Sequence, residues 1–546
     1  MNKSRRRYLI SFVIGSALLT LLYFSIMNSI KNPEISNLPY YTFRSLLRIS
    51  IAYFLSLAIG LTFGIGSAVN KKISAIITPT FDILQSIPIL GYFPAVIVII
   101  LGIIPGIIGL EMASIFLLFT SMTWAIFFGV YDSARSIPIN ILDAAKSFGI
   151  KGFQFIRHVM IPAIMPAIIS GSFLAWCDGW FFMIAAEYIT YAGEVRSLPG
   201  LGSFLAKSAY VYNDVNLSAT ILILITSIVL FINYLIWHRL TDKVSGYAHM
   251  IKLGFFGLPH NEKHNKKRLT IQFKFRHRVV SKSKTRAYTT HQRLISIIIV
   301  AVIFFSVIFY IMKKIPTIDI VEKNILVPEI SKLPVYAFFT LSRLSIAYII
   351  ALGIAIFMGV LAAEKKKFAM VFYPLYDIGQ AVPILALFPI LSVYVSHFVG
   401  GRLGLEVTAI TMLVLDMIWY MFLNIVVAVK SIPEETREVS KIFGFKGIKR
   451  IKHIILPAIM PAIVTGSILA WGTGWNTVIF AEYMPHGNEV ISIPGLGSFL
   501  SKEGYEEGNT ILLIFILFVI SSIVILMEKF IWKKLLAKTE KYEIEA

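Results

Sequence analysis

A chain of 546 residues that is 57% hydrophobic and 15% charged, with a mean hydropathy of +0.76, lies far from soluble composition, where about a quarter of residues are charged. Soluble enzymes and disordered proteins are excluded as starting points. The formal charge of +21 would suggest nucleic acid in a soluble chain, so its placement decides, and the single cysteine, Cys177, excludes a disulfide framework or a cysteine-rich metal site.

Taken in chain order, the first apolar run covers residues 8–30 behind a basic start, Met1 to Arg7. It is longer than a signal-peptide core and lacks a clear small-residue cleavage site, so it is read as a retained span. Further runs long enough to cross ~30 Å of hydrocarbon as helices fall at 49–70, 83–104, 112–131, 162–185 and 215–237. A basic stretch over 238–293 follows, and then runs at 294–312, 344–363, 380–398, 407–429, 457–481 and 509–527. Period-2 alternation is absent, which removes a β-barrel. The expected fold is all-α and membrane-embedded, with twelve transmembrane helices.

Placing the N-terminus in the cytoplasm puts most Lys and Arg on one side, the positive-inside bias. Both termini and the basic linker are then cytoplasmic, in a multi-pass protein of the cell membrane. The linker holds 14 Lys+Arg, among them Lys266, Lys267, Arg268, Arg276 and Arg278, and reads as a topological anchor near anionic lipid rather than a nucleic-acid site.

Adding 295 to a residue number carries the first half into the second without a gap from about Ile35 to Tyr210. Phe81 to Pro88 answers Tyr376 to Pro383, and Ala186-Glu187-Tyr188 answers Ala481-Glu482-Tyr483. From Asp143 to Trp176 against Glu438 to Trp471, 19 of 34 positions are identical, including loop positions where shared hydrophobicity cannot explain the match. Six spans per copy orient both copies alike, as a parallel repeat with a path between the halves. The divisions are 1–237 for the first repeat, 238–293 for the linker and 294–546 for the second repeat and tail.

Between the fourth and fifth spans of each half the sequence spells a short cytoplasmic helix. Ser136-Ile137-Pro138 and Ser431-Ile432-Pro433-Glu434 supply an expected Ser N-cap and early Pro, with a capping-box Glu in the second. Small residues follow, then Gly149 and Gly444 for a left-handed helix end, then Pro162 and Pro457 at the start of the fifth span. Such a helix could seat in a groove on a partner or lie as an amphipathic helix in the interface.

The spacing, an acidic-small-small triplet, three residues, Gly, nine residues and then Ile-x-Leu-Pro, resembles the EAA loop of binding-protein-dependent ABC importer permeases. The first copy carries it as Asp143-Ala144-Ala145, Gly149 and Val159-Met160-Ile161-Pro162. The second carries it as Glu438-Val439-Ser440, Gly444 and Ile454-Ile455-Leu456-Pro457. The departures are Asp for Glu in the first copy, Val-Ser for Ala-Ala in the second, and Val and Ile before the first proline. The resemblance covers about 200 residues of each half and is nearest the nitrate/sulfonate/taurine group. Weaker support comes from Gln85-Ser86-Ile87-Pro88, Ala186-Glu187-Tyr188 and Pro199-Gly200-Leu201-Gly202 with their counterparts.

That resemblance implies a type I ABC importer: two fused permease units, two cytoplasmic ATPase subunits docked on the loops, and an extracellular solute-binding protein. The ATPase-coupling residues would be Asp143, Ala144, Ala145, Gly149, Lys151 and Pro162, with Glu438, Val439, Ser440, Gly444, Lys446 and Pro457. The cargo would be a small solute moved by alternating access, anionic by family habit. No phosphate-binding Gly-x4-Gly-Lys-Ser/Thr occurs, so a separate ATPase would hydrolyse ATP; no catalytic activity, cofactor or metal is expected of this chain.

Ionisable residues inside spans are functional candidates by default. Asp178 lies in Ala175-Trp176-Cys177-Asp178-Gly179-Trp180, against Ala470-Trp471-Gly472-Thr473-Gly474-Trp475 in the second copy. These residues either line the solute path, with Trp176, Trp180, Trp471 and Trp475 as its walls, or pack around glycine. Arg48 and Arg343 either attract an anion or snorkel outward, and Glu187 and Glu482 either line a gate or rest in the interface. His158 and His453 lack further metal ligands nearby. An ion-gradient-driven twelve-helix carrier is the main alternative, and a non-transporting anchor for an ATPase is a third.

Overall fold

A computed structural model describes residues 33–240 and 320–539, apart from positions 86, 192–193, 213, 239, 487–488 and 508. The expected spans at 8–30 and 294–312 lie outside the described residues, as does nearly all of the 238–293 linker. Among the described residues eight helical stretches are long and apolar enough to cross a membrane: Glu34–Val69, Ile107–Arg135, Gly152–Glu187, Val215–Trp237, Glu329–Glu364, Gly401–Ser431, Gly447–Ala481 and Leu512–Thr539.

In the first half α1 (Leu38–Val69), α2 (Lys71–Gln85), α3 (Ile89–Ile103), α4 (Ile107–Arg135), α5 (Ile139–Ser147) and α6 (Ile161–Glu187) are followed by α7 (Leu201–Tyr210) and α8 (Val215–Ile232). The second half repeats them as α9 (Ile320–Glu364), α10 (Lys366–Ala381), α11 (Ile384–Val399), α12 (Gly401–Ser431), α13 (Glu434–Ile442), α14 (Leu456–Ala481), α15 (Leu496–Leu500) and α16 (Thr510–Met527). The core of each half is the trio α1, α4, α6 or α9, α12, α14. Close approach in that trio needs small residues. A Cβ on Gly64 would stand 2.8 Å from Val130 Cγ1, and one on Gly359 would stand 2.7 Å from Ile425 Cγ2.

Two expected spans begin earlier than apolar runs allow. Helix α1 starts eleven residues before the 49–70 run, and α9 well before 344–363, because Arg44, Arg48 and Arg343 end a hydropathy window yet stay helical by pairing with glutamates. The expected 83–104 span is not one helix. It breaks between α2 and α3, which meet at 103°, since Pro88 lacks an N–H and holds φ at −57° ahead of α3. The 380–398 span breaks likewise between α10 and α11, before Pro383.

The chain is not purely helical. β1 (Tyr188–Tyr191) pairs antiparallel with β2 (Glu194–Ser197), Tyr188 opposite Ser197, and β3 (Tyr483–His486) pairs with β4 (Glu489–Ser492) in the same register. Aromatic and β-branched residues in Tyr188-Ile189-Thr190-Tyr191 favour a strand once α6 has ended.

Candidate functional site

The short helices α5 and α13 each start on a proline carbonyl: Ile141 N donates to Pro138 O at 3.0 Å and Arg437 N to Pro433 O at 3.3 Å. The expected serine caps are not formed. Ser136 Oγ donates back to Ser133 O at 2.8 Å and Ser431 Oγ to Ala428 O at 2.9 Å, so both close the preceding long helix. Gly149 and Gly444 do end the helices, with φ of +71° and +69°. Ile150 N reaches Ala145 O at 2.9 Å and Phe445 N reaches Ser440 O at 3.0 Å, the six-to-one bond of a Schellman end.

One side of each short helix is held and the other is open. Ala145 and Ser440 are buried at equivalent positions, and Arg437 anchors α13 by donating to Val429 O at 2.7 Å and Ile432 O at 3.2 Å. Asp143, Ala144, Glu438 and Val439 are exposed, as are Lys151 and Lys446 beyond the turns. The Asp143–Lys146 pair, at 3.2 Å in solvent, contributes little. Apolar side chains project beside them: Phe148 is 82% exposed and Phe443, its counterpart, 74%, with Ile139, Phe153, Ile442 and Ile448 also open. Pro162 and Pro457 sit in the first turn of α6 and α14, entered through π-helical turns at Ile156–Met160 and Ile451–Ile455. His158 and His453 lie on those turns, exposed, with Nδ1 near the carbonyls of Gln154 and Lys449.

At the far end of α6, a rise of roughly 40 Å for its 27 residues, Glu187 is fully buried. Arg48 Nη1 donates to Glu187 Oε1 at 2.7 Å and to Pro199 O at 2.9 Å, while its other nitrogens grip Glu111 at 2.6 and 2.7 Å. Ser45 Oγ and the backbone N–H groups of Gly202 and Ser203 also donate to the carboxylate. The second half repeats this with Arg343, Glu482, Glu406, Pro494 O, Thr340 and Gly497. A Cβ on Gly200 or Gly495 would stand 2.2 Å from that carboxylate. Arg48, Glu187, Arg343 and Glu482 thus form one clamp per half, tying α1, α4 and α6 or their copies to the chain beyond the hairpin.

Between the halves lies a cavity of about 730 Å³, lined from the broken helices by Gln85, Pro88, Gln380 and Pro383. It is also lined by Asp178, Trp180, Trp471 and Trp475, whereas Trp176 and the clamp residues are not on its wall. Trp176 packs edge-on to Tyr53. The halves meet there by hydrogen bond as well: Ile89 N, an orphan donor at the start of α3, gives to Asn476 Oδ1 of α14 at 2.8 Å. Asp416, also on the wall and 3% exposed, is missing from the candidates read off the sequence, although an acid at the centre of the 407–429 run signals itself. Glu111 and Glu406 were missed likewise.

The family model for binding-protein-dependent transport system inner membrane components matches the chain twice, over residues 60–244 and 351–537. Among curated relatives, the bicarbonate transport system permease protein CmpB of Synechococcus elongatus is 27% identical over 175 residues, 32% of this chain and 58% of its own. The taurine transport system permease protein TauC of Escherichia coli is 28% identical over 188 residues, 34% of this chain and 63% of its own. The nitrate import permease protein NrtB of Synechocystis is 24% identical over 199 residues, 36% of this chain and 67% of its own. The chain thus spans about 58% of the length of the first of these relatives.

Proposed function

Because the chain belongs to the family of binding-protein-dependent transport system inner membrane components, we propose that it is the fused permease subunit of an ABC importer, two six-span units of type I architecture joined by the basic linker. Relatives named for bicarbonate, nitrate and taurine permeases support that reading. The observation that carries it is the duplicated cytoplasmic helix, α5 and α13, each closed by a left-handed glycine and each presenting an exposed phenylalanine at the same position.

Two ATPase subunits seat on these helices, one per half, and a solute-binding protein delivers cargo to the opposite side. ATP binding draws α5 and α13 together. Each helix continues through its glycine turn into α6 or α14, and the arginine clamp at the far end makes each half move as one body. The cavity at the interface therefore opens to alternate sides as the halves tilt. The ATPase supplies hydrolysis, and this chain's residues transmit the motion and enclose the solute.

Aromatic side chains at an interface centre are the usual energetic anchors, at ~2 kcal/mol or more each. Phe148→Asp combined with Phe443→Asp is therefore expected to weaken ATPase copurification by a factor on the order of 30 or more, with the chain still inserted. Undiminished copurification would remove α5 and α13 as the docking site.

A further inference from the structure

Resting on the permease reading, we propose that the cargo is an organic cation, held between Asp178 and Asp416 from opposite halves against the aromatic walls of the central cavity. The described residues lining that cavity include no Lys, Arg or His. They include five carboxylates, Asp82, Asp132, Asp178, Asp416 and Glu528, of which Asp178 and Asp416 lie well inside the long helices α6 and α12. Asp416 is 97% buried and takes a hydrogen bond from Thr477 Oγ1 at 2.8 Å, yet has no cationic partner among the described residues. Asp178 has none either. Ionised carboxylates inside a membrane protein are costly unless a counter-charge meets them, and in a solute path the solute can be that counter-charge.

The duplication supplies an internal control. The position equivalent to Asp178 in the second half is Thr473, and the position equivalent to Asp416 in the first half is Ser121. Both halves nevertheless build the same helix trio and the same clamp. Neither carboxylate is therefore needed for the shared architecture, and each half contributes one of the pair, on a different helix, to a space that Asp82, Asp132 and Glu528 also line. Trp419, Tyr420 and Trp471 share the wall with them, and aromatic faces carry a negative quadrupole that attracts cations and disfavours anions. An anion-selective path would place the reverse charges here.

The test uses the full chain in lipid nanodiscs and two probes of similar size and opposite charge, choline and isethionate, measured by equilibrium dialysis of the radiolabelled compounds. Choline is expected to bind saturably and at least about tenfold more tightly than isethionate. Asp178→Asn combined with Asp416→Asn is expected to weaken choline by at least about tenfold, while Asp178→Glu, which keeps the charge, retains binding within a few fold and separates charge from folding. Isethionate binding as tightly as choline, no saturable choline binding, or choline binding unchanged in the double variant would overturn the inference. ATPase copurification with the unmodified chain is scored separately. Its presence without choline binding defeats the cation inference alone, and choline binding without it supports a cation site and counts against the permease reading.

Discussion

Gly149→Val combined with Gly444→Val is expected to abolish ATP-coupled uptake and ATPase copurification while leaving the chain in the membrane. Both glycines hold φ near +70°, a region that costs an ordinary L-residue ~1–2 kcal/mol and a β-branched one more. A Cβ at either position would meet nothing within 4 Å, so the fold does not reject the side chain by collision. The penalty falls on the Schellman end that sets the angle between α5 and α6, and on the open face beside Phe148 and Phe443. Asn tolerates the left-handed region, so Gly149→Asn with Gly444→Asn should retain most of the copurification. Normal ATP-dependent uptake by the valine pair would separate these turns from the coupling mechanism.

Arg48→Met is expected to be the most destabilising single change outside the short helices, lowering the thermal unfolding midpoint of the purified chain by the equivalent of ~3–5 kcal/mol. The side chain is 2% exposed and holds two glutamates and a carbonyl. Its removal leaves Glu187, fully buried, without a counter-charge. Arg343→Met should behave alike in the second half. Arg48→Met with Glu187→Gln should recover part of the loss, because the stranded charge is then gone. A midpoint unchanged by Arg48→Met would mean that the two carboxylates are satisfied without the guanidinium, and the rigid-body role of the clamp would fall with it.

The duplicated architecture and the short helix between spans were legible because each is a pattern of residue types along the sequence: a constant 295-residue offset, and a glycine and proline at fixed spacing from an acid. The clamp was not, because its members lie 63 and 139 residues apart. Arg48 read in isolation suggests a lipid-facing or solute-facing cation, and only its partners show a charge neutralised within the protein. The break at Pro88 was hidden by hydropathy, which scores composition and ignores a missing N–H. Ser136 and Ser431 read as N-caps by position, but a serine after a long helix has an i−3 carbonyl within reach, and that bond wins. Asp416 was as legible as Asp178, each a lone acid inside an apolar run with an uncharged counterpart, Ser121 for one and Thr473 for the other; it was passed over rather than hidden.

Coupling through α5 and α13 is mechanical, so the distance between them reports it. With Cys177 replaced by alanine, spin labels at Gln154→Cys and Lys449→Cys, exposed and equivalent just past the two glycine turns, report the separation of the two helices by pulsed electron resonance in the complex with its ATPase. The distance is expected to shorten when ATP is trapped with vanadate and to return when nucleotide is removed. A distance indifferent to nucleotide, in a complex that hydrolyses ATP, would contradict it.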